Sequence, residues 1–115
     1  MTSQQELELL AEWLGIGGKF VDNDPCLIPK TYVQMGEWPN IVRWNPSPGG
    51  NDTDFLNMVA GRVDIQWLPF SVAAEIRDCE VRADYDAHNN DKVAAMKHAA
   101  YQVCLMAAKE WKGEQ

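Results

Sequence analysis

Residues 79–85 read Cys79-Glu80-Val81-Arg82-Ala83-Asp84-Tyr85, with apolar and charged side chains in strict alternation. Successive side chains of a strand point to opposite faces. The pattern therefore predicts a β-strand with Cys79, Val81, Ala83 and Tyr85 on a core and Glu80, Arg82 and Asp84 in water. Just upstream, Val72–Ile76 is a second strand candidate that pairs through a turn at Arg77-Asp78, although its two alanines weaken the β signal. Val63, Ile65 and Trp67 alternate with Asp64 and Gln66, which predicts a third, half-buried strand that Pro69 ends or bends. Connections this short join antiparallel neighbours, so the three strands form a meander.

Helices are predicted on both sides of this ribbon. Downstream, Lys92 to about Lys112 holds no proline or glycine, and Asn89-Asn90-Asp91 supplies capping candidates. Val93, Met96, Ala100, Val103, Ala107 and Trp111 recur every three or four residues and are expected to line one buried stripe. Alanines at 94, 95, 99, 100, 107 and 108 raise intrinsic helicity and permit close packing. Lys109 and Lys112 complement the helix dipole in the last turns, and Gly113 marks the stop. At the other end, Ser3-Gln4-Gln5-Glu6 matches a capping box, Leu7, Leu10, Ala11 and Leu14 follow at helical spacing, and Gly15 is placed to close the helix. A short helix is predicted over 52–60, capped by Asn51 or Asp52, with Phe55, Met58 and Val59 as its apolar face and Gly61 as its end.

The segment from Gly15 to Gly50 carries five of the six prolines, and also Phe20, Tyr32, Trp38 and Trp44. It is read as an ordered, irregular lobe packed against the helices, with Tyr32-Val33 and Ile41-Val42 as short edge strands. Gly15-Ile16-Gly17-Gly18-Lys19 follows a helix, where glycines make a cap and turn and not a phosphate loop. The expected fold class is α+β: a small α/β layered sandwich whose antiparallel β-meander is packed by an N-terminal helix and a long C-terminal alanine-rich helix. Residues 1–115 are expected to form a single domain.

Composition narrows the chemistry. The 115 residues include 17 acidic and 10 basic side chains, a net charge of -7, which disfavours direct binding to a phosphate backbone. Three basic and eight acidic residues precede position 58, so the first half is the more acidic. That end is able to dock on a basic surface or simply to keep the chain soluble. No apolar run approaches the roughly 18 residues of a membrane helix, and the acidic, polar stretch Met1–Glu12 is unlike a signal peptide. Cys26, Cys79 and Cys104 are odd in number and widely spaced, which suits reduced thiols and a cytoplasmic location.

No catalytic or metal-binding pattern emerges. Asp84, Asp86, His88 and Asp91 lack the spacing of a zinc or calcium motif and fit a polar turn that caps the long helix. Cys104 lies six residues from His98, an offset that points the two to different helix faces, so Cys104 is read as a core residue, and Cys79 likewise. The chain is expected to be no enzyme and to need no cofactor or metal. Binding has better material in Trp38-Pro39-Asn40-Ile41-Val42-Arg43-Trp44-Asn45-Pro46. Here Trp38, Arg43, Trp44 and Asn45 are the candidate contact residues, since Trp and Arg combine large area with directed donors. The competing reading is that both tryptophans plug the gap between lobe and helices.

Leu10-Ala11-Glu12-Trp13-Leu14-Gly15 near the start and Trp44-Asn45-Pro46 before a short helix with Asn51-Asp52 are followed by a hairpin and the alanine-rich stretch Ala94 to Ala108. In this order, over nearly the whole chain, the features resemble the phage ABA sandwich domain family of small bacteriophage proteins. Residues 69–91 depart from the family pattern in length and charge. The resemblance implies an α/β layered domain, a phage or prophage source and no established activity or functional residue. A phage source in turn implies a non-enzymatic accessory protein in the host cytosol that inhibits a host defence by binding a host protein through an acidic and aromatic surface. One alternative is a sponge for a small nucleotide signal, with donors such as Arg43, Arg77 or Arg82 around a pocket, often at a subunit interface. Another is a phage structural or assembly accessory protein. The alanine-rich helix is a candidate seam for a homo-oligomer.

Overall fold

The computed structural model describes residues 3–15, 19–22, 31–35, 42–44, 46–48 and 50–113. In chain order the elements are α1 (Ser3–Leu14), β1 (Lys19–Asp22), β2 (Thr31–Met35), β3 (Val42–Trp44), α2 (Asp52–Val59), β4 (Asp64–Trp67), β5 (Ser71–Ile76), β6 (Cys79–Asp84), a 3-10 turn at Asp86–His88, and α3 (Lys92–Gly113). The class is α+β, as the sequence predicts. No helix among the described residues is long and apolar enough to cross a membrane.

Strands β4, β5 and β6 form the expected antiparallel meander. Ile76 pairs with Cys79 across the two-residue turn Arg77-Asp78, and Trp67 pairs with Val72. In β6 the predicted alternation holds: Cys79, Ala83 and Tyr85 are buried and Val81 is half-buried, while Glu80, Arg82 and Asp84 are exposed. The alanines of β5 do not prevent a strand: Ala74 shares the core face with Val72 and Ile76, where its small side chain lets α3 approach closely, and Ala73 points to the opposite face.

The segment read as an irregular lobe holds a second antiparallel sheet, ordered β1-β2-β3, with Phe20 opposite Val33 and Val33 opposite Trp44. The irregular reading is corrected on this point: Tyr32-Val33 and Val42 do lie in strands, but β2 is the central strand of the sheet and not an edge, and β1 was not expected. Each strand has only three to five residues, too few for alternation to stand out, and the five prolines of the segment, which in a sequence argue against strands, all fall outside the three strand spans. Ile41, Cys26 and the turn at 16–18 lie outside the described residues.

Packing contacts run from the first sheet to α1, from α1 to α3, and from α3 to β5 and β6. Helices α1 and α3 run parallel: the Tyr101 hydroxyl donates to Glu6 Oε2 at 3.3 Å, and Lys112 Nζ meets Glu12 Oε2 at 2.7 Å further along. With neighbours on two sides, α3 buries a broad arc that includes Ala95, Ala99, Tyr101, Val103, Cys104 and Ala108. The narrow predicted stripe is corrected at its start, where Val93 is 53% exposed while Ala95 in the same turn is fully buried, because the two lie on different faces of the helix.

Local chemistry sets the helix ends. Asn51 Oδ1 accepts the Asp54 N–H at 3.0 Å and caps α2, and Asp91 Oδ1 does the same for Ala94 at the start of α3. Gly15 takes φ +74 and donates its N–H to Glu12 O at 3.1 Å, closing α1 in a conformation that side chains disfavour.

Candidate functional site

Two places combine exposure with chemistry, one at each end of β5. The first is the turn Leu68-Pro69-Phe70 between β4 and β5. Phe70 is 85% exposed and Trp67 is 53% exposed. The expected half-burial of Trp67 is therefore corrected: β4 is the edge strand of its sheet and α3 lies over β5 and β6 instead. The turn itself is fixed. Leu68 N–H donates to Ser71 O at 2.9 Å, Tyr85 N–H to Phe70 O at 3.1 Å, and the Tyr85 hydroxyl to Leu68 O at 2.9 Å. Asp84 pairs with Ser71 beside the turn, and Asp84 and Asp86 are both exposed. The result is a held aromatic tip with carboxylates next to it.

The second place is a cavity of about 470 Å³ at the opposite end of the sheet. It is lined by Trp13 from the end of α1, Arg62 after α2, Arg77 in the β5–β6 turn, Cys79, and Glu110 and Trp111 near the end of α3. The Cys79 thiol donates to Glu110 Oε2 at 3.2 Å. That bond to a carboxylate, with burial behind it, pushes the thiol above its ordinary pKa. Arg62 Nη1 donates to the carbonyls of Asn57 and Met58 at 3.2 and 3.3 Å, tying down the end of α2. Arg77 sits at φ +52, a region that two-residue hairpin turns normally fill with glycine, asparagine or aspartate.

The candidates from the sequence fare unevenly. Trp44 is 4% exposed and belongs to the core, so its role as a contact residue is corrected: the indole plugs the interior. Arg43 is placed by its backbone alone, in β3 opposite Gln34. Trp38 and Asn45 lie outside the described residues. Of the proposed donors, Arg77 lines the cavity, whereas Arg82 lies on the outer face of β6 in an exposed pair with Glu80 at 2.8 Å. His88 lies beside His98 with ring centroids 5.0 Å apart and the rings tilted by 45°, and no cluster of three or more metal-ligating side chains occurs among the described residues. Cys104 is fully buried and His98 is exposed. Burial pushes the Cys104 thiol up to about 12.

The aromatic tip had a sequence signal that the strand pattern masked. Turns favour Gly, Asn, Asp and Ser, and Trp67-Leu68-Pro69-Phe70 instead puts large apolar groups around a proline. The cavity had no such signal, because positions 13, 62, 77 and 111 meet only through packing. Comparisons with models of protein families, with curated proteins and with solved structures found no match to this chain.

Proposed function

We propose that this chain is a non-enzymatic phage accessory protein that opposes a host defence by binding a basic host protein through the tip at residues 67–70. The observation that carries the reading is the exposure of Phe70 and Trp67 on a turn whose backbone Tyr85 holds in place. A rigid aromatic anchor loses little freedom on binding, and such anchors supply most of the energy of protein interfaces. The flanking Asp84 and Asp86, within a chain of net charge -7, favour a partner of opposite sign and speed the encounter. The resemblance of the element order to small phage proteins supports a phage source.

The test is retention of bacterial host proteins on the immobilised chain, with a Trp67→Ala/Phe70→Ala double variant alongside it. The reading expects a basic protein held by the parent, weakened by salt, and lost from a variant whose circular dichroism is unchanged. Identical retention by parent and variant overturns it.

A further inference from the structure

The cavity at the other end of β5 is not used by that docking surface. Six strand residues separate the two places, about 20 Å at strand rise. We infer that the cavity is a binding site for a guanine mononucleotide, with the base stacked against Trp13 and Trp111 and the phosphate held by Arg62 and Arg77.

The argument starts from what lines it. Trp13 and Trp111 bring two indoles to one cavity from the last turns of two parallel helices. Indole faces stack on any nucleobase. Glu110 precedes Trp111 on the same helix end, and its carboxylate is steadied by the Cys79 thiol at 3.2 Å. A carboxylate accepts paired N–H donors. Guanine alone among the common bases presents a ring N–H and an amino group side by side on one edge. The carbonyl-rich C-terminal ends of α1 and α3 also suit a donor edge.

Phosphate recognition falls to the arginines. Arg77 stands in the β5–β6 turn, and among the described residues no hydrogen bond or ion pair occupies its guanidinium. Arg62 spends only Nη1 on the α2 carbonyls, which leaves donors on Nη2 and Nε. Two guanidinium groups match a phosphate, whose oxygens accept paired N–H bonds. Asp78 and Glu110 also line the cavity and oppose an anion, so a phosphate there depends on both guanidinium groups. A volume of about 470 Å³ lies within the range of small-ligand sites.

The backbone of Arg77 is an independent observation. A non-glycine residue at φ +52 is strained, and such strain clusters at functional sites. Glycine would relax the turn, yet it would remove the guanidinium. Folding and binding therefore make opposite demands at this one position.

That opposition supplies the test. GMP, AMP and inorganic phosphate are titrated separately into the full chain at physiological salt, followed by tryptophan fluorescence and calorimetry. GMP is expected to quench the fluorescence and bind, with AMP at least about tenfold weaker and phosphate alone weaker still. Arg77→Gly is expected to lose at least about tenfold in GMP affinity while its melting temperature stays level or rises. Glu110→Gln should weaken GMP and leave AMP unchanged. The inference is overturned if GMP fails to bind up to about 1 mM, if AMP binds as well as GMP, or if Arg77→Gly binds GMP like the parent. Because the tip is untouched by these variants, their outcome is separate from that of the docking reading.

Discussion

The Tyr85 hydroxyl donates to the carbonyl of Leu68 at 2.9 Å, and so ties the end of the strand Cys79–Asp84 to the turn that carries Phe70. Tyr85 is buried while Phe70 is almost wholly in water. Replacing Tyr85 by Phe keeps the ring and removes the bond, at an expected cost of about 1 kcal/mol. Phe70→Ser removes an exposed side chain and is expected to leave stability within about 0.5 kcal/mol. Urea unfolding of the two variants checks the contrast. A Phe70→Ser loss as large as that of Tyr85→Phe would show that the tip is part of the core.

Alkaline pH is expected to destabilise the fold in a defined window. Burial raises the Cys104 thiol from an ordinary 9.0 to about 12. Between those values the unfolded chain has released a proton that the folded chain keeps, so stability falls as pH rises and is fully present below the ordinary value. Tyr101 is raised in the same direction from 10.0, chiefly by burial and then by the charge of Glu6, and its contribution begins to fade later. Melting temperature should decline from about pH 9 upward. Cys104→Ala is expected to reduce the early part of the decline, which the raised Cys79 thiol shares, and Tyr101→Phe the later part. A flat profile to about pH 10.5 would contradict both assignments.

Cys79 offers a chemical readout of its partner. Glu110 raises its thiol pKa first by the hydrogen bond and then, after burial, by charge. Glu110→Gln removes the negative charge, so the thiolate fraction rises and alkylation speeds up near pH 8. Mass spectrometry of the Cys79 peptide over time measures the change. Equal rates in parent and variant would mean that the bond does not govern the thiol.

The closeness of α3 to its sheet rests on alanine. Ala99 is fully buried, as are Ala95, Ala108 and Ala74. Ala99→Leu adds three carbons where no space exists and is expected to cost about 1–3 kcal/mol. Asp91→Ala removes the cap on the Ala94 N–H and is expected to cost about 1 kcal/mol without moving the helix. Denaturant midpoints distinguish the two, since only the overpacked variant should also change near-ultraviolet circular dichroism from the buried Tyr101.

Much of the fold was legible because its signals are local. The alternation Cys79 to Tyr85, the caps at Asn51 and Asp91 and the closing Gly15 each act within a few residues, and each appears in the structure where the sequence places it. The first sheet was legible only in part: Tyr32-Val33 and Val42 fall in strands as read, whereas the strand Lys19–Asp22 and the central place of Thr31–Met35 were hidden by short strands set among prolines. The burial of Trp44 was equally hidden: an indole beside an arginine and an asparagine reads as a contact group until a core is seen to enclose it.

By itself, the sequence determined the helices, the second meander and the acidic surface, because periodicity, capping and charge are properties of neighbours along a chain. The tertiary structure alone decided that Trp67 and Phe70 stand in water and that Trp13, Arg62, Arg77 and Trp111 share one cavity. Those are outcomes of which helix covers which strand. That choice is made by shape and burial between segments up to a hundred residues apart, as the Glu12–Lys112 contact shows, and no pattern along the chain encodes it.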